Sequence, residues 1–427
     1  MMHTFASLFK NKDTRKRIFF TLAMLLIYRI GSAIPVPGVN AEALSAQISD
    51  NSILNMMNLL GGGALERLSV FAMGVTPYIT ASIIIQLLSM DVIPALTEMT
   101  KSGQTGRMKM EKITRYLGVV LSFVQAFSLV YGFDKQYSIL ENAKLSGYLY
   151  TATVMTAGTM FLIWLGDRIS MKGIGNGISI IIFAGIVANM PASFQQVWNV
   201  LAGGTSQGEV FNGVLQFSLY ILLYLAIIVF VVITETAQRR IPIQYTNSTV
   251  VRGSSNVTYL PLKINSASVI PVIFAQSIMT APQIIISFFN TDLYNKLNQW
   301  LSLSSWTGLL LYAVLTVLFT FFYTDLQVDP DTVADNLGKS GAYIPGIRPG
   351  NETKIYLHKV LNRITVLGAA ALTIVAVIPY LLPMFTSLPA SSAIGGTGII
   401  IVVGVAMETM AQLKGQLTQK QYHGFLN

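Results

Sequence analysis

The sequence predicts an all-α polytopic membrane protein: ten transmembrane helices in two inverted five-helix halves, with a half-length helix inserted in the first half. Three observations carry this. Hydrophobic residues fill 52% of the 427 positions and charged ones 11%, about half the charge of a soluble domain, and the mean hydropathy is +0.57. Apolar stretches of bilayer length recur ten times. Basic residues alternate between loops. Of 28 Lys and Arg, five precede the first stretch, five lie between the second and third, and two follow the fourth. Four follow the sixth, five the eighth and two the tenth. By the positive-inside rule both termini are cytoplasmic and the number of spans is even.

The first span, Ile18–Ile34, follows Lys10, Lys12, Arg15, Lys16 and Arg17 and ends at Pro35-Val36-Pro37-Gly38. Its length, with no small-residue cleavage site, argues against a removable signal peptide. The chain from Ile53 to Leu88 then begins a span and fails to complete it. Ile53–Leu60 is apolar, Gly61-Gly62-Gly63 interrupts it, and a short apolar helix is predicted at Leu65–Met73 with Glu66 and Arg67 at its start. Nine residues reach only ~14 Å, roughly half of a ~30 Å hydrocarbon core. Backbone ending at mid-membrane must be sheltered by protein or line a watery cavity. After Gly74-Val75 the second span runs from Thr76 to Leu88. The others are Ile113–Phe133, Leu149–Leu165, Ile178–Val197, Val214–Ile233, Ala267–Phe289, Thr307–Tyr323, Ile364–Phe385 and Thr397–Met410. The natural division falls in the Asn199–Gly213 loop, giving halves 1–200 and 201–427. An odd number of spans per half makes the halves antiparallel. The cytoplasmic loops 235–266 and 325–363 are long, polar and basic, which points to docking of a cytosolic partner.

The chemistry classes narrow quickly. There is no cysteine, and His3, His358 and His423 are scattered, so neither a metal site nor a cofactor is expected. Gly338-Lys339-Ser340 ends like a phosphate loop, but Val333 stands where the upstream glycine belongs. Gly173–Gly177 is glycine-rich and reads as a turn capping the fifth span. Arg29 is the one clear charge within a span, while Asp91, Asp167, Glu235, Asp325 and Glu408 sit at or near helix ends. That leaves no proton relay and no catalytic set. Isoleucines cluster beside the hinge elements: Ile79 with Ile83, Ile178 with Ile182, Ile270 with Ile273, and Ile399-Ile400-Ile401. Their spacing fits ordinary packing or a pore constriction. Gln86, Gln125 and Gln276 are amides in or near three spans, where lipid would leave them unpaired, so they face protein or water.

Phe71-Ala72-Met73-Gly74-Val75-Thr76-Pro77-Tyr78-Ile79-Thr80-Ala81-Ser82-Ile83-Ile84-Ile85-Gln86-Leu87-Leu88 resembles the signature of the SecY family, central channel subunits of the bacterial Sec protein translocase. Similar stretches are Ile34–Gly38, Gly173–Gly185, Leu260–Asn265, Ile344–Gly350 and Gly395-Gly396-Thr397, so the likeness runs from the basic N-terminus to Gln421. It implies a ten-helix clamshell around an hourglass pore that conducts unfolded secretory polypeptides and releases membrane segments laterally. Carried over by motif, the pore ring is Ile79, Ile83, Ile182, Ile273 and Ile401, with Ile178 nearby. The plug, about 59–73, includes Leu60, Gly61, Gly62, Gly63, Leu65, Glu66, Arg67, Leu68 and Phe71. The second and third spans facing the seventh and eighth form a lateral gate that contains Thr80, Gln86, Gln125 and Gln276.

Docking falls to Arg239, Arg240, Arg252, Lys263, Arg348 and Lys354. The implied partners are SecE- and SecG-like subunits, the motor ATPase SecA, ribosomes, signal peptides and nascent polypeptides, and the bilayer of a bacterial plasma membrane. One departure stands out: Thr246-Asn247-Ser248 occupies the tip where the family carries lysine and arginine, which predicts ribosome docking weakened relative to SecA. Two other readings are an accessory paralogue for a restricted substrate set and an ion-coupled secondary transporter. The transporter requires a charged or coordinating midplane site.

Overall fold

Helices dominate the computed structural model, which describes residues 12–40, 63–89, 93–140, 143–202, 207–245, 258–289, 291–385 and 390–423. In chain order they are α1 (Lys12–Ser32), α2 (Thr76–Leu88), α3 (Pro94–Lys101), α4 (Gly103–Tyr137), α5 (Leu145–Lys172), α6 (Gly177–Ala202) and α7 (Gln207–Thr236). Strands β1 (Gln238–Tyr245) and β2 (Thr258–Lys263) follow, then α8 (Ile270–Phe289), α9 (Thr291–Leu301), α10 (Trp306–Gln327) and α11 (Pro330–Lys339). Strand β3 (Ala342–Tyr343), α12 (Asn351–Phe385) and α13 (Ala390–His423) complete the described chain. Each of the ten predicted apolar segments overlaps a helix, the first extending past Ser32 and the seventh beginning before Ile270. Among the described residues, 7 helical stretches are long and apolar enough to cross a bilayer, lying on α4, α5, α6, α7, α10, α12 and α13. The shorter α2 and the first part of α8 are apolar as well. The chain is a multi-pass membrane protein.

Local chemistry sets the helix starts. Pro77 occupies the first turn of α2, where its missing N–H costs nothing. The Asn176 side chain accepts from Ile178 N at 3.1 Å and Ser179 N at 3.4 Å, capping α6. The glycine-rich stretch before α6 is thus a capped turn, with Gly175 at φ 71°. Gly177 lies so close to α5 that a Cβ there would sit 1.9 Å from the Gly166 carbonyl oxygen.

Within the first half α2 packs on α4, α4 on α5 and α5 on α6; within the second α8 packs on α10, α10 on α12 and α12 on α13. The halves meet where α6 touches α7 and α13, and where α4 and α2 touch α8.

Two expectations change. Gly63–Val75 is a succession of turns, not the apolar helix predicted at Leu65–Met73. Leu68 at φ 40°, Gly63 at 80° and Gly74 at 56° lie in the left-handed region and prevent helical hydrogen bonding from propagating. The two long loops, read from sequence only as polar and basic with no strand assigned, share a three-stranded sheet of order β2-β1-β3. Gln238 pairs with Lys263 and Ile243 with Thr258, while Gln244 and Tyr245 pair with Tyr343 and Ala342. Ile241, Ile243 and Leu262 turn inward onto Ala334, Leu337, Leu357 and Leu361, so both loops share one hydrophobic core.

Candidate functional site: an apolar junction under a seated segment

The six predicted ring isoleucines come from α2, α6, α8 and α13 and meet in two adjoining clusters. Ile182 and Ile401, 6% and 2% exposed, are buried with Phe71, Val75, Ile181 and Ile186. Ile79, Ile178 and Ile273 pack against them. Ile83 lies in the second cluster with Phe274 and Tyr323, and Ile79 and Ile273 contribute to both. The junction is made of branched apolar side chains, which make no directional demand on what touches them and exclude water when empty.

The segment Gly63–Val75 is seated against this junction. Leu65 and Leu68 are fully buried against Ala126, Leu129, Val130 and Phe133 of α4 and Ala152 and Met155 of α5. On the opposite side Phe71 stacks between Tyr28, at 6.3 Å, and Phe161, at 5.8 Å. Two glycines make the room: a Cβ on Gly31 would lie 2.1 Å from the Phe71 ring, and one on Gly158 would lie 2.0 Å from the Val70 carbonyl oxygen. Val36 N donates to Leu68 O at 2.9 Å and Val70 N to Ile34 O at 3.1 Å, pinning the segment to the chain after α1. Glu66 and Arg67 are exposed. Leu60, Gly61 and Gly62 lie outside the described residues.

The predicted gate amides separate. The Tyr323 hydroxyl on α10 donates to Gln86 Oε1 on α2 at 2.6 Å, and Gln86 Nε2 donates to Ser82 Oγ at 3.3 Å. That bond joins the two halves, and Tyr323 was not among the predicted gate residues. Thr80 is spent locally on the Thr76 carbonyl, at 3.1 Å. Gln125 is half-buried on α4. Gln276 on α8 is buried and its Nε2 donates to Tyr380 on α12 at 3.1 Å, so this amide faces protein. A side chain four residues from Tyr380 or from Tyr323 would have shown the pairing in sequence; partners on other helices do not.

Of the predicted docking residues, Arg239, Arg240 and Lys263 are exposed on the sheet, and Arg348 is exposed in the turn before α12. Lys354 is engaged, at 3.2 Å from Asp335 and 3.9 Å from Asp331, and so ties α11 to α12. Asp329 caps α11, and the Thr332 hydroxyl donating to its carboxylate holds it below the usual carboxylate range. Arg252 lies outside the described residues. Arg115 and Asp167 pair at 2.8 Å between α4 and α5. Among the described residues no three His, Asp or Glu side chains come together as metal ligands.

Comparison with known proteins agrees with this architecture. The SecY family model matches residues 69–410. A protein translocase subunit SecY of Bacillus subtilis is 45% identical over 434 aligned positions, covering 100% of both chains. Its counterpart in Staphylococcus carnosus is 44% identical, over 100% of this chain and 99% of the relative. The fold is similar to a solved protein-conducting channel, with a TM-score of 0.66 at 19% identity over 93% of this chain and 91% of that one. It is also similar to Sec61 in a canine ribosome–channel complex from the endoplasmic reticulum, with a TM-score of 0.65 at 19% identity over the same shares. The chain belongs to the SecY family.

Proposed function

We propose that this chain is the pore-forming subunit of a Sec translocon in a bacterial plasma membrane, conducting unfolded secretory polypeptides and releasing membrane segments sideways. The observation that carries this is the junction itself: isoleucines from four helices converge against a seated segment, and among the described residues no metal-ligand cluster lies there. A channel that must pass any sequence cannot rely on polar readout, and an apolar ring fits many side chains in turn. Residues 63–75 act as the plug, and α2 with α4 facing α8 with α10 forms the lateral gate. Residues 1–200 and 201–427 are the two clamshell halves, and both termini are cytoplasmic. The chain is not an enzyme; the driving energy comes from partners.

Those partners are SecA and ribosomes at the basic sheet, with SecE- and SecG-like subunits in the membrane. The names of the translocase relatives and of the ribosome-bound structural neighbour support this reading. The test is a polar substitution in the ring. Ile401→Asn places an amide at a residue only 2% exposed, and an unpaired buried amide costs about 1–3 kcal/mol. Export of substrates with defective signal sequences is then expected to rise about ten-fold. Export that stays as selective as in the parent would refute the assignment.

A further inference from the structure

Between the cytoplasmic sheet and α8 runs a short linker, Ile264–Val269, held in an unusual way. Ile264 N donates to Ala237 O at 2.9 Å, so the linker leaves directly from the sheet register. Asn265, 2% exposed, donates through Nδ2 both to Glu235 Oε1 at 2.7 Å and to Ser268 O at 3.2 Å. Both contacts are acceptors, which fixes the orientation of the amide and leaves Oδ1 buried without a hydrogen-bond partner. Glu235, at the end of α7, is itself only 8% exposed. A buried carboxylate and a half-satisfied buried amide both carry a desolvation cost that their mutual hydrogen bond offsets only in part, so the arrangement calls for an explanation.

The backbone is strained at the same point, because Ser268 has φ 53° without being glycine. Glycines on two helices wedge the linker in. A Cβ on Gly368 of α12 would lie 2.4 Å from the Ile264 carbonyl oxygen, and one on Gly404 of α13 would lie 2.6 Å from Val269 Cγ1. The linker therefore cannot slide sideways. A shift of the sheet is passed along the chain to the first turns of α8, which carry Ile273 into both apolar clusters.

We propose that Glu235, Asn265 and Ser268 form a rigid joint that transmits docking at the cytoplasmic sheet to α8 and so to the ring. They are positioning residues, since none belongs to the isoleucine junction. The inference rests on the functional reading above, and the experiment separates the two. The chain has no cysteine, so Ile83→Cys with Ile273→Cys provides a clean crosslinking reporter across the second cluster. The full-length protein with its membrane partners is assayed with and without a ribosome–nascent-chain complex, and binding affinity is measured in parallel.

In the parent reporter, docking lowers the crosslink yield about five-fold or more. Asn265→Ala leaves affinity unchanged and abolishes that response. Asn265→Asp sets two carboxylates against each other and also abolishes it, whereas adding Glu235→Gln restores a donor between them and regains part of the response. Ser268→Gly relieves strain, so it accumulates at least as well as the parent, yet it weakens the response by making the joint flexible. A full response in Asn265→Ala and Ser268→Gly would overturn the proposal, as would affinity and response falling together. A parent reporter that ignores docking would overturn the functional reading, and the joint with it.

Discussion

Phe71 lies between the rings of Tyr28 and Phe161, in space that Gly31 leaves free by lacking a Cβ. Truncation to Phe71→Ala opens a cavity under the ring and costs about 3–5 kcal/mol against the seated position. Ion leak through the resting protein in proteoliposomes is expected to rise, and an unchanged leak would show that the segment does not seal the junction. Gly158→Val acts from the other side, because its Cβ would meet the Val70 carbonyl; the expected leak is in the same direction. Phe71 was legible in sequence, as part of a long motif. Gly31 and Gly158 were not, since a glycine in a span looks the same whether it faces lipid or makes room for a ring. The isoleucines were legible as regular spacing, and the likeness to a family singled out six of them for a proposed ring; their packing across four helices became visible only in three dimensions.

At the scale of elements, hydropathy sufficed for the spans, because each must present a long apolar surface whatever its neighbours do. The seated segment misled: its composition is helical, but left-handed Leu68 and Gly74 turn it at intervals too short for a helix. Strand β1 carries Pro242, a residue that disfavours a strand interior, yet Ile241 and Ile243 alternate with exposed Arg240 and Pro242. Between elements, the Tyr323–Gln86 bond crosses the proposed gate. A double-mutant cycle with Tyr323→Phe and Gln86→Leu should give a coupling of about 1 kcal/mol in the free energy of gate opening. It is read as the shift in the signal-sequence hydrophobicity needed for export; strictly additive effects would remove the bond from the gate. The loop tip offers a separate check. Asn247→Arg with Ser248→Lys should tighten ribosome binding, with a steeper salt dependence. Equal affinity in the parent and the variant at low and high salt would contradict it.

For the whole molecule, helices from both ends of the chain close on an apolar junction, and residues of the two long loops build a basic sheet over a shared hydrophobic core. The junction holds branched apolar side chains from four helices, which suits the passage of chains of any sequence. The most direct measurement uses the absence of native cysteines. Single cysteines replace Ile79, Ile182 or Ile401, and each is tested for crosslinking to a stalled secretory polypeptide in membranes. Crosslinks at all three that vanish when the signal sequence is deleted are the predicted result. Well-expressed protein with no crosslink at any of them would contradict a polypeptide path through the isoleucine junction.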